Sequence, residues 1–394
     1  MRSKYQARVE RIPAFHAGSI KTCDVLVVGA GFSGLVMAER LSNELGLHCV
    51  VVDKRLHVGG NAYDMVDAAG VLIHPYGGHI FSTNSDKVFQ YLSRFTEWVP
   101  AEYTVASYAR GRMWSFPVNL TTYEQLVGHT STTEEMEAYL SSVRIPIDRP
   151  RNSEEAILSK VGPELYELFY KGYVMKQWGV SATELDPAVC LRLPIRTSRN
   201  GLRFDAKHAC MPAAGYTSMF NRLLKSSPKV EVIIGTEYKD FLPQCSYKHL
   251  VYTGPIDQFF DCVHGPLPYR TLRFEHESFG PEKLTEGFWQ KTLQVNYPND
   301  YDFTRIIEIK HATGQTCPNT TIVREYPEVF GPGREPLYPV LCPSADLLYA
   351  KYSEMAHAVP NTTFVGRLAR YSYINMDAAV GSALAEFERL RHTL

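Results

Sequence analysis

No charge of one sign predominates in this 394-residue chain: 41 Lys and Arg face 42 Asp and Glu, a formal net of -1. Nucleic acid is thereby set aside as the main partner, because neutralising phosphates requires a basic excess. Long apolar runs are also missing. Nothing approaches the roughly 18 consecutive apolar residues of a membrane span, and residues 1–21 lack the continuous apolar stretch of a secretory signal. Eight cysteines, at positions 23, 49, 190, 210, 245, 262, 317 and 342, include no C-x-x-C pair. That spacing excludes a zinc ribbon or a redox dithiol, leaves no metal site in view, and suits scattered thiols in a reducing cytoplasm. Tryptophan is scarce, 4 residues against 24 Tyr and 19 Phe. Tyrosine joins a stacking face to a hydroxyl, which suits a polar, ring-containing ligand, although packing bias accounts for the excess equally well. The 45% hydrophobic and 21% charged content is that of a globular protein, and about 150 residues per domain predicts two or three domains.

What is present begins at Val25-Leu26-Val27-Val28, an apolar run of buried-strand type. Gly29-Ala30-Gly31-Phe32-Ser33-Gly34 follows at once, then Leu35–Leu41 at helical spacing. Strand, G-x-G-x-x-G and helix in that order form a dinucleotide-binding turn. Gly29 permits the tight turn, Gly31 lets backbone approach a pyrophosphate, and Gly34 lets the helix pack close to the strand. The N–H groups of Phe32 and Ser33 open that helix toward the anion. A second strand, Cys49–Val52, ends in Asp53, an acid suited to a ribose hydroxyl. Asp53-Lys54-Arg55 then runs to Gly59-Gly60-Asn61. This D-K-R-x-x-x-G-G extension resembles the FAD-binding segment of glutathione-reductase-like and amine-oxidase-like flavoproteins, which implies FAD rather than NAD.

The remaining chain divides into an N-terminal extension (1–21), a first part of the FAD-binding domain (22–100), a mainly helical insertion (101–200), a second FAD-binding part (201–265), an antiparallel sheet region (266–345) and a C-terminal FAD-binding part (346–394). Glu134–Leu140 and Glu154–Lys176 are the most periodic helical stretches, and Val230–Gly235 and His249–Pro255 return to strand patterns. Thr363–Arg367 reads as strand and turn before a helix over Ala378–Leu390. The expected fold class is α/β: a Rossmann-like FAD-binding core with a helical insertion domain and an antiparallel β-sheet domain.

With these segments placed, nearly the whole chain resembles the bacterial UDP-galactopyranose mutases. The stretches that carry the resemblance include Tyr76-Gly77-Gly78-His79-Ile80-Phe81, Lys171-Gly172-Tyr173-Val174-Met175-Lys176-Gln177-Trp178 and Arg192-Leu193-Pro194-Ile195-Arg196. Tyr269–Glu277, Thr304-Arg305-Ile306-Ile307-Glu308, Arg324-Glu325-Tyr326-Pro327 and Gly366-Arg367-Leu368, with Tyr371, Tyr373 and Asp377, continue it. The resemblance implies a redox-neutral isomerisation between the pyranose and furanose forms of a nucleotide sugar. In the family, N5 of reduced FAD displaces UDP at the anomeric carbon, the sugar opens as an iminium adduct, the 4-hydroxyl closes the smaller ring, and UDP returns to release the flavin. The side chains have no nucleophile to supply.

By the same resemblance, Arg192, on a mobile loop, and Arg305 bind and stabilise the departing diphosphate, a task suited to planar guanidinium groups. Phe169, Tyr170, Tyr173 and Trp178 fall at the uridine helix, while Asn296, Tyr338, Tyr371 and Tyr373 line the sugar–diphosphate site. His79 and Arg367 lie against the flavin. Ile80, Gly366, Asn375, Met376 and Asp377 complete the cofactor-binding set with Gly29, Gly31, Phe32, Ser33, Gly34, Asp53, Lys54, Gly60 and Asn61. Four positions depart from the family pattern. Ser82 stands for a histidine, Arg203 for a phosphate-contacting tyrosine, Asn375 for an aspartate and Val174 for a threonine. Another nucleotide sugar therefore stays open as substrate. A flavin oxidoreductase of the amine-oxidase type, or a nucleotide-sugar binder without catalysis, are the readings of other classes. An electron donor such as NAD(P)H and a homodimer are the further implied partners.

Overall fold

The computed structural model describes residues 20–331 and 333–394. The expected extension over 1–21 lies outside them, save for its last two positions. The chain forms two compact units. The first takes the described residues up to Pro100 together with Cys210–Leu267 and Leu347–Leu394; the second takes Ala101–Ala209 and Pro268–Asp346.

In the first unit, five parallel strands lie in the order Val230–Ile234, Cys49–Asp53, Val25–Val28, His249–Tyr252, Thr362–Phe364. Val25–Val28 and Cys49–Val52 are buried at every position, as a strand covered on both faces requires. Side chains from Leu26, Val28, Val50, Val52, Leu250 and Tyr252 make one core cluster. The helix Phe32–Leu45 starts three residues after Gly29 and ends at Gly46, whose φ of 68° suits a residue without Cβ. It packs against Met376–Leu390, which begins two residues before the expected Ala378.

The second unit is built on a seven-stranded sheet. Its order is Tyr338–Pro339, Tyr269–Phe279, Thr320–Val329, Arg305–Ile307, Gln294–Asn296, Val105–Ala109, Arg112–Phe116. All pairings are antiparallel except Gln294–Asn296 with Val105–Ala109. The hairpin of residues 105–116 thus joins the 266–345 strands in one sheet, and the stretch 101–200 shares a unit with them. The helical run expected over Glu154–Lys176 is three pieces. Ser153–Tyr166 is kinked at Gly162 (φ 74°, ψ 178°), Glu167–Lys171 is a π-turn, and Gly172–Trp178 is α-helical. A Cβ on Gly162 would lie 2.5 Å from the Val143 carbonyl oxygen, and Pro163 has no N–H to continue the ladder. Among the described residues, no helix is long and apolar enough to cross a membrane.

One buried acid ties the first unit's helices together. Glu39, on Phe32–Leu45, is fully buried and receives the guanidinium of Arg40, the Tyr91 hydroxyl (2.7 Å), Asn43 Nδ2 (3.0 Å) and Arg94 Nη2 (3.2 Å). Burial alone would raise its pKa, but the hydrogen bonds from Arg40 and Tyr91 outweigh burial and hold it below the usual 4.5. A folded pKa below the unfolded one means stability present above about pH 4.5 and lost as pH falls through the folded value. Glu39→Gln is expected to cost about 3 kcal/mol in urea unfolding at pH 7, because it removes the buried charge that Arg40 and Arg94 share and leaves Arg40 only the exposed Glu44. The variant should also lose less further stability than the parent between pH 5 and 3. An unchanged midpoint would show that this carboxylate does not bind the helices.

Candidate functional site

In the first unit the glycine turn is built by contact. Gly29 has φ 103°, and a Cβ there would sit 2.1 Å from Thr253 Oγ1; one on Gly34 would sit 1.9 Å from the Gly29 carbonyl oxygen. Gly31 differs, since a Cβ would meet nothing nearer than Gly60 Cα at 3.7 Å. Its space is open in the protein itself. Helix Phe32–Leu45 has neither a side-chain cap nor an acid in its first turn, so its N–H groups and dipole remain available to an anion. Phe32 turns its ring into the core, edge-on to Phe220 (4.8 Å) and Tyr216 (6.0 Å), and offers only backbone to a ligand. Ser33 Oγ would lie 2.9 Å from a Cβ on Gly366 (φ 99°), so the C-terminal turn closes on the glycine turn.

Asp53 is oriented by backbone: Ala30 N–H donates to Oδ2 at 2.7 Å and Arg55 N–H to Oδ1 at 2.8 Å. A carboxylate accepting one bond on each oxygen keeps lone pairs for a ribose hydroxyl. Lys54 beside it is exposed. Asn61 Oδ1 accepts from Arg55 Nη1 at 2.9 Å, and that guanidinium covers the Tyr76 ring at 4.3 Å. His79 Nδ1 lies 2.7 Å from the Gly77 carbonyl, its own N–H donates to His74 Nδ1 at 3.1 Å, and Ile80 next to it is buried. Burial, with His79 adding to it, pushes His74 down to about 3 and keeps it neutral. Ser82 is half-buried on Phe81–Thr83. Arg367 Nε donates to the Ile374 carbonyl at 3.0 Å, and its guanidinium stands 5.9 Å from the Tyr373 ring. Tyr371, buried with φ 42°, stacks on Tyr349 at 5.8 Å. Asn375 stands at the N-cap position of the helix that opens with Met376 and Asp377, without a capping bond from its side chain. This set of glycines, open helix start and oriented acid fits a dinucleotide.

The second unit carries a row of directly opposed residues across its sheet: Phe274, Glu325, Arg305, Asn296, Ser107 and Trp114. Opposed residues share a face, and here four consecutive members are polar. Arg305 Nε donates to Glu325 Oε2 at 2.6 Å, and Nη1 reaches the Tyr173 hydroxyl at 3.4 Å. Burial opposes Arg305's charge, but the Glu325 carboxylate outweighs it and holds the guanidinium protonated. Burial pushes the Glu325 carboxyl up, against the pull of Arg305 and then Arg203. Glu325 Oε1, Ser107 Oγ and Arg203 Nε are buried with no hydrogen-bond partner among the described residues. Arg203 lies 5.0 Å from the Tyr103 ring and 5.3 Å from Phe204. Tyr103 donates its hydroxyl to Gln294 Oε1 (2.6 Å), and Gln294 Nε2 donates to Asn296 Oδ1 (2.6 Å). Two cations, one shared acid and a tyrosine–amide chain make a centre suited to an anion with hydroxyl-bearing neighbours.

Trp178 is mostly buried, its ring 6.4 Å from Tyr338. Tyr173 and Tyr338 therefore join Arg305's surroundings, whereas Phe169 and Tyr170 pack on Trp114 and Phe116. A π-turn holds Phe169 and Tyr170, so they do not continue the α-helical phase of Tyr173 and Trp178. Arg192, half-buried, closes the short helix Pro187–Leu191. The segment after it makes its own hydrogen bonds: Arg196 Nη1 donates to the Leu202 carbonyl (2.6 Å), Arg196 pairs with Asp205 (2.8 Å), and Leu120 N–H donates to the Ser198 carbonyl (3.0 Å). Tyr371, Tyr373 and Asn375 belong to the first unit; Tyr338, Asn296, Arg203 and Val174 to the second. Sequence reasoning gave no role to Glu325, Tyr103, Gln294 or Ser107. The available signal was an acid close behind the apolar pair Ile322-Val323 in the strand Thr320–Val329, whose first four residues are all buried.

Residues 168–373 match the family described as UDP-galactopyranose mutase, and residues 27–95 the NAD(P)-binding Rossmann-like domain. A probable UDP-galactopyranose mutase of Klebsiella pneumoniae is 35% identical over 92% of this chain and 93% of its own. The chain belongs to the UDP-galactopyranose mutase family. A dTDP-fucopyranose mutase of Escherichia coli is 33% identical over 91% of this chain and 96% of its own. The solved structure of a reduced UDP-galactopyranose mutase superposes with a TM-score of 0.73 over 94% of both chains at 14% identity, which speaks for the fold. Family membership fits the two constructions just described, a dinucleotide turn in one unit and a cation cluster in the other.

The glycines separate binding from folding. Gly31→Ala is expected to leave the unfolding midpoint within about 1 kcal/mol of the parent, since its Cβ has room, while cutting dinucleotide affinity at least ~10-fold. Gly34→Ala should instead destabilise by about 3 kcal/mol, because its Cβ strikes backbone. Equal effects of the two on stability and on bound dinucleotide would show that the turn is not a ligand cradle.

Proposed function

We propose that the chain interconverts the pyranose and furanose forms of a nucleotide sugar, UDP-galactose first among them, with FAD as its cofactor. The observation that carries this reading is the Arg305–Glu325–Arg203 cluster beside Tyr173, because a nucleoside diphosphate needs fixed cations and this centre supplies them.

Gly29, Gly31, Gly34 and the N–H groups of Phe32 and Ser33 would take the pyrophosphate of FAD, with Asp53 and Lys54 at the adenosine ribose. Gly60, Asn61, His79, Ile80, Gly366, Arg367, Asn375, Met376 and Asp377 would hold the rest, His79 and Arg367 at the isoalloxazine. Reduced FAD, when bound, supplies the nucleophile for the anomeric carbon. Isomerisation is redox-neutral, so an electron donor such as NAD(P)H is needed only to bring the cofactor to its reduced form. A cytoplasmic homodimer is the expected setting.

The side chains then have two tasks. Trp178 and Tyr173, with Phe169 and Tyr170 behind them, would orient the nucleobase. Arg305, Arg192 and Arg203 would hold the diphosphate, and the first two would stabilise the charge that grows as it leaves the sugar. Glu325 keeps Arg305 protonated and pointed before the ligand arrives, so little reorganisation remains at the reactive moment. Tyr338, Tyr371, Tyr373 and Asn296 would donate hydrogen bonds to the phosphates and sugar hydroxyls. A second substrate stays in view on a specific observation. The dTDP-fucopyranose mutase is nearly as similar as the UDP-galactopyranose mutase, 33% against 35%, and Arg203 and Val174 depart from the expected pattern.

The test is anaerobic incubation of FAD-loaded, dithionite-reduced protein with UDP-galactofuranose, following UDP-galactopyranose by chromatography. Conversion with reduced protein and none with oxidised protein is expected. A dTDP-hexofuranose run in parallel identifies the better substrate. Flavin-loaded, reducible protein that leaves both classes unchanged would sink the proposal. Arg305→Ala is expected to lower kcat roughly 100- to 1000-fold while flavin loading stays at the parent level.

A further inference from the structure

Lys176 lies in the motif that also contains Tyr173 and Trp178, yet no ligand role uses it. Its ammonium instead donates to four backbone carbonyls: Tyr297 in a short contact, and Asp300, Tyr301 and Phe303 at 3.1 Å each. All four belong to the turn between Gln294–Asn296 and Arg305–Ile307, the hairpin that holds Asn296 and Arg305. An ammonium has three N–H groups, so four carbonyls saturate it.

The contact is one of several that press this helix onto that hairpin. Asn299 Nδ2 donates to the Leu168 carbonyl at 3.0 Å, and a Cβ on Gly172 would lie 2.5 Å from the Pro298 carbonyl oxygen. On the other side, Arg270 Nη2 donates to the Lys176 carbonyl (3.0 Å) and Nε to the Gln177 carbonyl (3.1 Å). Arg270 is directly opposed to Tyr338. Gly179, with φ 72°, gives the Arg270 head its place, since a Cβ would meet Nη1 at 2.7 Å. One short helix is thereby bolted through a side chain to the turn that leads into the strand of Arg305, and through its carbonyls to the strand opposite Tyr338.

We infer that Lys176 is a positioning residue for the nucleotide-sugar site, its caged ammonium setting the separation between the helix of Tyr173 and Trp178 and the strands of Asn296 and Arg305. Without the cation, four carbonyls in one turn lose a common donor and repel one another. The turn then relaxes, and the 3.4 Å approach of Arg305 to the Tyr173 hydroxyl opens. Burial pushes the ammonium down to about 8, so it is charged at neutral pH.

The inference rests on the nucleotide-sugar reading of the same site, and the test separates the two. Calorimetric titration of the full-length protein with UDP is made for the parent and for Lys176→Ala, with and without n-propylammonium, which replaces the deleted atoms, or its neutral isostere propanol. Parent protein that does not bind UDP defeats the nucleotide-sugar reading. If the parent binds, Lys176→Ala should raise the Kd at least ~10-fold, which is about 1.4 kcal/mol, and propylammonium but not propanol should restore most of it. Parent-like affinity in Lys176→Ala overturns the inference, as does a loss that propylammonium leaves in place. Should Lys176→Ala not fold, Lys176→Arg is titrated instead. A folded Lys176→Arg with a Kd raised ~10-fold supports the role, since a guanidinium does not fit a cage sized for ammonium; parent-like affinity overturns it.

Discussion

A carboxylate with no access to water sits at the middle of the seven-stranded sheet, and the second unit's site is arranged around it. Glu325 is fully buried, Arg305 faces it from the next strand at 2.6 Å, and Asn296 and Ser107 continue the same row. Apolar residues of similar volume would serve folding as well or better, because desolvating an ion pair costs as much as its attraction returns. A polar row where strand alternation calls for a core is a local rule broken in favour of function. What the pair gives in return is orientation. One oxygen of Glu325 holds one edge of the Arg305 guanidinium, Tyr173 meets another, and the direction of the charge is settled before any ligand arrives.

The glycine turn obeys the same logic with backbone in place of charge. Gly29 and Gly34 are demanded by the protein's own packing, whereas at Gly31 only Gly60 stands across a gap. The tight contacts bring the strand end and helix start together; the gap is where a ligand's phosphates can approach N–H groups. Asp53 gains its fixed direction from two backbone donors rather than from another side chain. In both units, a group that would meet a ligand takes its direction from the protein: Asp53 from backbone N–H groups, Arg305 from the buried Glu325.

That division explains what was legible in the sequence. Strand, turn, helix and acid lie within 30 residues of one another, their spacing is set by local geometry, and Val25–Val28, Phe32–Leu45 and Cys49–Asp53 stand where the pattern put them. Glu325 pairs across 20 residues and Lys176 across 121 or more. No local periodicity announces such partners, although a charge at an inward strand position is a clue. Gly162 and the π-turn at Glu167–Lys171 defeated periodicity in another way. The residues there are good helix formers, but Val143 presses against the kink and the added residue in the turn shifts the phase. Phe169 and Tyr170 consequently face Trp114 and Phe116. The two-unit division hid for a related reason, since the hairpin at 105–116 pairs with strands nearly two hundred residues later.

Arg203 shows how far the same reasoning reaches toward substrate choice. Its guanidinium lies against Tyr103 and Phe204, and its charge acts on the acid that already serves Arg305. Two cations about one carboxylate leave a net positive charge that Arg305 and a tyrosine at position 203 would not. Such a charge attracts a diphosphate whether it is still joined to the sugar or already leaving. Binding both states alike tightens affinity without lowering the barrier between them. In the proposed reaction Arg305, aimed by Glu325, would answer charge that develops as the diphosphate leaves, whereas Arg203 would add a constant attraction. On the proposed function, the departure at 203 would bear on which nucleotide sugar is held and how tightly, and the rate of ring contraction would stay with the residues that match the family.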